Sequence, residues 1–175
     1  MAGERHPVTV EQLRAFAHPL RIRILRLCLE QPRTNQELAV RLRVAPGTML
    51  RHVRLLIRTG FLAPQQPRTG SRGATERPYL ATGLSWRMDL DVHDPALGQH
   101  VDLAVVDAYR AELAEALPSA WADRMRTALW LTPAERDEVV HRIEALIADY
   151  DGAERRPGGQ RFSFLWSMHA ERGNP

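Results

Sequence analysis

Residues 47–60, GTMLRHVRLLIRTG, combine an apolar stripe with a strongly basic side. On a helical wheel of about 100° per residue, one face carries apolar side chains at helical spacing. These are Met49, Val53 and Leu56, widened by Leu50 and Ile57. The opposite side carries Arg51, Arg54 and Arg58, with Thr48 beside them and His52 at the margin. The stretch therefore predicts an amphipathic helix that begins near Pro46 and ends at Gly60, which suits a left-handed stop.

The charge of the chain is unevenly distributed. The 175 residues have a net charge of +3, but residues 1–87 carry +10 and residues 88–175 carry −7. In residues 38–77, eight arginines face a single acid, Glu76. The chain contains no lysine, so every side chain with a permanent positive charge is a guanidinium, a group suited to phosphate oxygens. This pattern favours a polyanion-binding N-terminal half joined to a half with another role.

The residues around the basic helix predict a winged helix-turn-helix. Three further helices are expected before it, each with a start signal. These signals are Thr9 with Gln12, Pro19, and Thr34 with Glu37. After Gly60, the segments FLAPQQ and PYLATG flank a Gly- and Arg-rich loop and predict a β-hairpin. The expected fold is mainly α with a β-hairpin wing.

Four segments together resemble the ArsR-type winged helix-turn-helix transcriptional regulators. They are HPLRIRIL at 18–25, QELAVRL at 36–42, RHVRLLIRTGFL at 51–62 and PYLAT at 78–82. The resemblance covers about residues 10–85. It implies that the helix 46–58 enters the DNA major groove, that the hairpin lies along the backbone, and that Arg51 and His52 match positions that reach DNA. Leu50 stands where the family often has serine, which leaves the base preference open.

Residues 88–175 are expected to form a C-terminal helical (α+β) region that dimerises the protein and could bind a small-molecule effector. We predict helices over 99–117, 119–131 and 132–151, a flexible loop over 152–160 and a strand over 161–169. A narrow stripe of small and apolar residues offers a dimer contact: Leu97, Val101, Ala104, Ala108 and Ala111. The four tryptophans either line an effector pocket or form the core of this region, and we favour the core. The domains expected are therefore 1–87, for DNA binding, and 88–175.

These observations predict a dimeric, sequence-specific DNA-binding transcriptional regulator, with repression implied by the resemblance. Base contacts are expected from Thr48, Arg51 and His52, whereas Arg54 and Arg58 are expected on phosphates or on the flank of the helix. Within the 65–77 wing, the candidates for backbone or minor-groove contact are Arg68, Arg72 and Arg77. The expected partners are double-stranded DNA and a second copy of the chain.

Other classes of function have weaker support in the sequence. No apolar run is long enough for a membrane span, the N-terminus lacks a secretory signal, and Cys28 is the single cysteine, so we expect a cytoplasmic protein. We expect no cofactor and no metal: Leu38, Ala39 and Val40 stand where the family's metal-binding cysteines often lie. Asp91 with His93, and His141 with Glu144, superficially resemble a second metal site of the family, but their separation argues against it. Two alternatives stay open, a winged helix that binds protein, and an enzyme that uses Asp91, His93 or His141.

Overall fold

The computed structural model describes residues 6–70, 73–86, 88–89, 94–116, 125, 127–150, 158–159 and 162–170. The chain divides into two compact units, Glu4–Ala116 and a second unit made mostly of residues 117–175. No helix among the described residues is long and apolar enough to cross a membrane.

The first unit contains five helices and seven short strands among its described residues. The helices are α1 (Val10–Phe16), α2 (Pro19–Leu27), α3 (Asn35–Leu42), α4 (Pro46–Arg58) and α5 (Pro95–Glu115). The strands are β1 (His6–Pro7), β2 (Arg33–Thr34), β3 (Leu62–Pro64), β4 (Arg68–Thr69), β5 (Thr75–Glu76), β6 (Pro78–Ala81) and β7 (Met88–Asp89). A 3₁₀ turn, Leu84–Trp86, precedes β7. The mainly helical fold with a β-hairpin wing, expected from the sequence, is confirmed.

Local signals in the sequence start and stop these helices. Thr9 and Thr34 form complete capping boxes at the starts of α1 and α3, as predicted. Prolines occupy the first turn of α2 and α4, where their missing N–H costs no helical hydrogen bond. Gly60, with φ of 80°, follows the end of α4 and allows the chain to turn into β3.

The strands form three small sheets. β2, β6 and β3 make an antiparallel sheet in that order, and β4 pairs with β5 further out in the same hairpin. β1 and β7 pair in parallel, which the sequence analysis did not predict. The sheet with β2 ties the wing to the residues that directly precede α3.

The core of this unit lies between the helices and the three-stranded sheet. Its fully buried side chains include Ile24, Leu38, Met49, Val53, Leu56 and Phe61. The rings of Phe16 and Phe61 stack with centroids 5.9 Å apart, which joins α1 to the start of β3. The apolar stripe predicted for α4 is therefore the part of that helix that faces the core.

Helix α5 packs on α1 and α2 within the same compact unit. Ala104 and Ala108 are buried against Ile22, and Val101 belongs to the main core. The small-residue stripe that we expected to form a dimer contact is therefore largely covered by the chain's own helices. Small side chains at these positions let α5 approach α2 closely. The side of α5 left open carries Leu103 and Val106, which are 55% and 43% exposed.

The second unit contains α6 (Pro133–Ala148), which starts at the predicted capping box of Thr132 and Glu135. No residue of α6 is buried. The helix predicted over 119–131 is not formed at residues 127–131, and its other residues, apart from Met125, lie outside the described part. The strand predicted over 161–169 is not formed at residues 162–169, and no described strand pairs with these residues.

The two tryptophans whose side chains are described do not lie in a core of the kind that we expected for this region. Trp130 is fully exposed and Trp166 is 37% exposed. The Trp86 side chain and Trp121 lie outside what the structure describes. The loop predicted over 152–160 is described only at residues 158 and 159.

Candidate nucleic-acid interface

Helix α4 presents its basic side to solvent. Because Met49, Val53 and Leu56 are completely buried on one side, the residues at the opposite angles must point outward. Arg51 and Arg54 are exposed there, as the sequence predicted. The exposed face of α4 therefore offers guanidinium groups, and the helix itself contains no acid.

Arg51 and Arg58 each have a neighbour that fixes their position. The Arg51 guanidinium donates to Thr48 Oγ1 over 3.3 Å, one turn back towards the helix start. The Arg58 Nε donates to Glu11 Oε1 over 3.0 Å, which pairs the last residue of α4 with α1. Glu11 is a partner that the sequence did not indicate, because it lies 47 residues away in the chain. Both side chains of this pair are mostly exposed, so it contributes little stability.

His52 contacts a second histidine, His18, which lies directly before α2. The two ring centroids are 4.9 Å apart, with the planes tilted by 56°. His18 is the N-cap of α2, and its Nδ1 accepts a hydrogen bond from the Leu20 backbone N–H over 3.2 Å. Nδ1 must be unprotonated to accept that bond. The sequence analysis did not identify His18 as a cap, although a polar residue directly before an N1 proline is a signal for one.

Burial and nearby positive charges disfavour protonation of both histidines. Burial is the largest cause that lowers the pKa of His18, followed by Arg21 and His52. Burial likewise lowers the pKa of His52, followed by Arg21 and Arg51. Arg21 is held in place because its guanidinium donates to the backbone oxygens of Ala15 and Arg14. The α2–α4 junction thus favours the neutral form of both imidazoles, which lie beside the guanidinium groups of Arg21 and Arg51.

The turn between α3 and α4 holds the two helices together. The Asn35 side-chain amide donates to the Pro46 backbone oxygen over 3.1 Å, so the first residues of both helices are joined. Arg43 ends α3 in a left-handed conformation with φ of 54°. The pair of helices with this short connection is the helix-turn-helix predicted from the sequence.

One arginine of the wing contacts the helix-turn-helix. Arg68 lies on β4, and its guanidinium donates to Glu37 Oε1 over 2.6 Å. Arg77, between β5 and β6, is exposed. Arg72 lies outside the described residues. The structure thus places Arg68 against α3, and it gives Glu37 a second role beyond its predicted cap.

The residues considered for metal binding or catalysis do not form a site among the described residues. No three His, Cys, Asp or Glu side chains group closely enough there to hold a metal ion. Asp91 and His93 lie outside the described part, and His141 is exposed on α6.

One family model matches the chain: residues 16–65 match the model described as a helix-turn-helix domain. The match runs from the last residue of α1 to just beyond β3, and so covers less than half of the chain. No curated protein matches the sequence.

Three solved structures illustrate the resemblance of the fold. Reduced HlyU from Vibrio cholerae is 20% identical, with a TM-score of 0.36, over 54% of this chain and 81% of its own. Rv0081 from Mycobacterium tuberculosis is 24% identical, with a TM-score of 0.35, over 60% and 87%. The adhesin competence repressor AdcR from Streptococcus pyogenes is 16% identical, with a TM-score of 0.32, over 82% and 80%. These scores are low, so the assignment of the fold rests on the elements of the chain itself.

Proposed function

We propose that this protein is a dimeric, sequence-specific DNA-binding transcriptional regulator of the ArsR type that represses by occluding promoters. The observation that carries the proposal is the outer face of α4. Its arginines are exposed directly opposite a fully buried stripe, in a stretch from residue 38 to residue 75 that contains no acid. A helix face that contacts only water can carry acidic and basic side chains alike. A face that binds the phosphate backbone lacks acids because they would repel the phosphates.

The division of roles follows from position along α4. Recognition helices of helix-turn-helix proteins contact base edges mainly with their N-terminal residues. Thr48, Arg51 and His52 lie in the first half of α4, so we assign them to bases. Arg54 lies further along the exposed face and Arg58 ends the helix, so we assign both to phosphates.

The wing arginines complete the proposed contact surface. Arg68 and Arg77, with Arg72 in the loop between β4 and β5, would follow the DNA backbone or enter the minor groove. Such contacts position a protein on DNA without distinguishing bases. Together with α4 they give each protomer three to five phosphate contacts, or roughly 6–10 in a dimer.

A dimer is part of the proposal because a palindromic operator needs two recognition helices about 34–36 Å apart. We assign the dimer contact to the open side of α5, in place of the stripe that α2 covers. Leu103 and Val106 lie one turn apart on that side, and an isologous contact would pair this patch with itself.

The salt dependence of duplex binding tests the proposal. Fluorescence anisotropy with a labelled duplex should give an affinity that falls by about 10³–10⁵ between 50 and 200 mM salt, because each arginine on a phosphate displaces counterions. A set of random duplexes measured alongside a selected operator separates general from specific binding. An affinity that does not change with salt would contradict the proposal and leave the protein-binding alternative.

A further inference from the structure

Glu37 holds two partners at once, one on each carboxylate oxygen. Its Oε2 accepts from the backbone N–H of Thr34 over 2.8 Å, while its own N–H donates to Thr34 Oγ1 over 3.2 Å. Its Oε1 accepts from the Arg68 guanidinium over 2.6 Å. The capping box therefore fixes the carboxylate and presents its second oxygen to the wing.

The pair is unusual in its surroundings. Glu37 is the only acid in residues 31–75, and its carboxylate contacts a wing arginine. The short distance is typical of a charge-assisted hydrogen bond. The two side chains are 47% and 38% exposed, so the guanidinium stays open to a second oxyanion from solvent.

We propose that Glu37 is an internal competitor for DNA phosphate at Arg68. A carboxylate and a phosphate present the same kind of oxygen to a guanidinium. Because Glu37 is already held by the cap, it pairs with Arg68 in the free protein, and DNA must displace it before the wing can engage. The carboxylate thereby lowers affinity for every duplex and does not change base preference. This inference rests on the proposed DNA-binding function and adds a regulatory element to it.

The substitution Glu37→Gln separates the ion pair from the cap. The chain itself contains a capping box built with glutamine, since Thr9 N–H donates to Gln12 Oε1 over 2.9 Å. Glutamine at position 37 therefore keeps the start of α3 and removes the charge that holds Arg68. An exposed or half-exposed pair is worth about 0.2–1 kcal/mol, so we expect E37Q to bind all duplexes about 1.5- to 5-fold more tightly per protomer.

Glu76→Gln is the matched control for the loss of a negative charge near DNA. Glu76 lies opposite Arg68 in the β4–β5 ladder, yet the structure shows no ion pair between them. Its substitution removes the same charge beside the same arginine without affecting the cap. Binding of random duplexes at several salt concentrations should show a larger gain for E37Q than for E76Q. In an Arg68→Gln background, the gain from E37Q should shrink.

The outcomes separate this inference from the function on which it rests. If the wild-type protein binds duplexes with the expected salt dependence but E37Q gains no more than E76Q, the competitor role is wrong. Weaker binding by E37Q, with urea unfolding unchanged, would overturn it too and would make Glu37 a residue that positions the wing. If the wild-type protein does not bind duplex DNA, the proposed function fails and the inference fails with it.

Discussion

The protonation state of His18 is set by its place in the fold. Its Nδ1 accepts the Leu20 N–H, and Arg21 and His52 lie beside it, so burial and charge lower its pKa below the ordinary value. A histidine with a lowered pKa in the folded state binds its proton more readily when unfolded. Its contribution to stability is therefore complete above about pH 6.5 and is lost as pH falls through the lower folded pKa.

We predict that folding of the N-terminal unit weakens on mild acidification because protonated His18 no longer caps α2. Loss of an N-cap costs about 0.5–2 kcal/mol. Urea unfolding at pH 7.5 and 5.5 measures the loss. His18→Asn keeps a capping oxygen and cannot titrate, so the wild type should lose more stability than this variant. Equal losses in both proteins would contradict the role of His18. The same measurement on His52→Gln gives the part of the stability loss that is due to protonation of His52.

Arg51 and Arg54 provide a second comparison between single residues. Both are exposed on α4, but Arg51 lies nearer the helix start, where its guanidinium contacts Thr48. We predict that Arg51→Ala reduces discrimination between the operator and a mutated site by about 1–3 kcal/mol. Arg54→Ala should instead weaken both duplexes by a similar factor. Competition binding on paired duplexes measures both effects, and identical behaviour of the variants would refute the assigned roles.

Among the elements, α5 shows most clearly what the sequence could predict. Its existence and the alternation of small and apolar residues were predicted, because helix propensity and periodicity are local properties. Which surface covers Ala104 and Ala108 depends on α2, more than 70 residues away, and no local pattern contains that information. For this reason the sequence analysis predicted that the stripe contacts a second copy of the chain.

The same distinction explains the other elements. The capping boxes at Thr9, Thr34 and Thr132 are short-range and were found. The parallel pairing of β1 with β7 joins residues some 80 positions apart and was missed. Residues 161–169 alternate like a strand, but a strand also needs a partner, and no described strand pairs with 162–169. On α4, local periodicity predicted the exposed arginines, whereas the acids that pair with Arg58 and Arg68 come from distant elements.

The contact between α5 and α2 leads to a prediction about packing. Ala108 is buried against Ile22, so Ala108→Leu should overfill the contact and destabilise the unit by about 1–3 kcal/mol. Ala114, on the exposed side of the same helix, is the matched control, and Ala114→Leu should change stability little. Thermal unfolding of both variants measures the difference. Equal unfolding temperatures would show that α5 does not pack on α2 as described.

For the whole molecule, the compact unit extends beyond the wing to Ala116. Division of the chain at residue 87 would remove Met88 and Val101 from the main core and uncover Ile22. The roles assigned to 1–87 and 88–175 remain a proposal, but a fragment that retains the folded unit has to include α5.

We predict that a fragment of residues 1–116 unfolds cooperatively and remains a dimer, because it retains the open side of α5. A fragment of residues 1–87 should lose both stability and dimerisation. Light scattering and urea unfolding of the two fragments measure this. Leu103→Glu in the longer fragment should produce a folded monomer. If the unchanged 1–116 fragment were monomeric, the dimer surface would have to lie in residues 117–175.

Cys28 gives this unit a built-in reporter of its opening. The thiol is completely buried at the end of α2, burial raises its pKa to about 12, and the Cys28 backbone oxygen accepts from Ala81 N–H on β6 over 2.8 Å. A thiol reagent can therefore react only when the core around Cys28 opens. Since the chain has one cysteine, the labelling rate reports that single event. The rate at which the native protein is slowly modified therefore measures how often the core beneath the wing opens transiently, without an engineered probe.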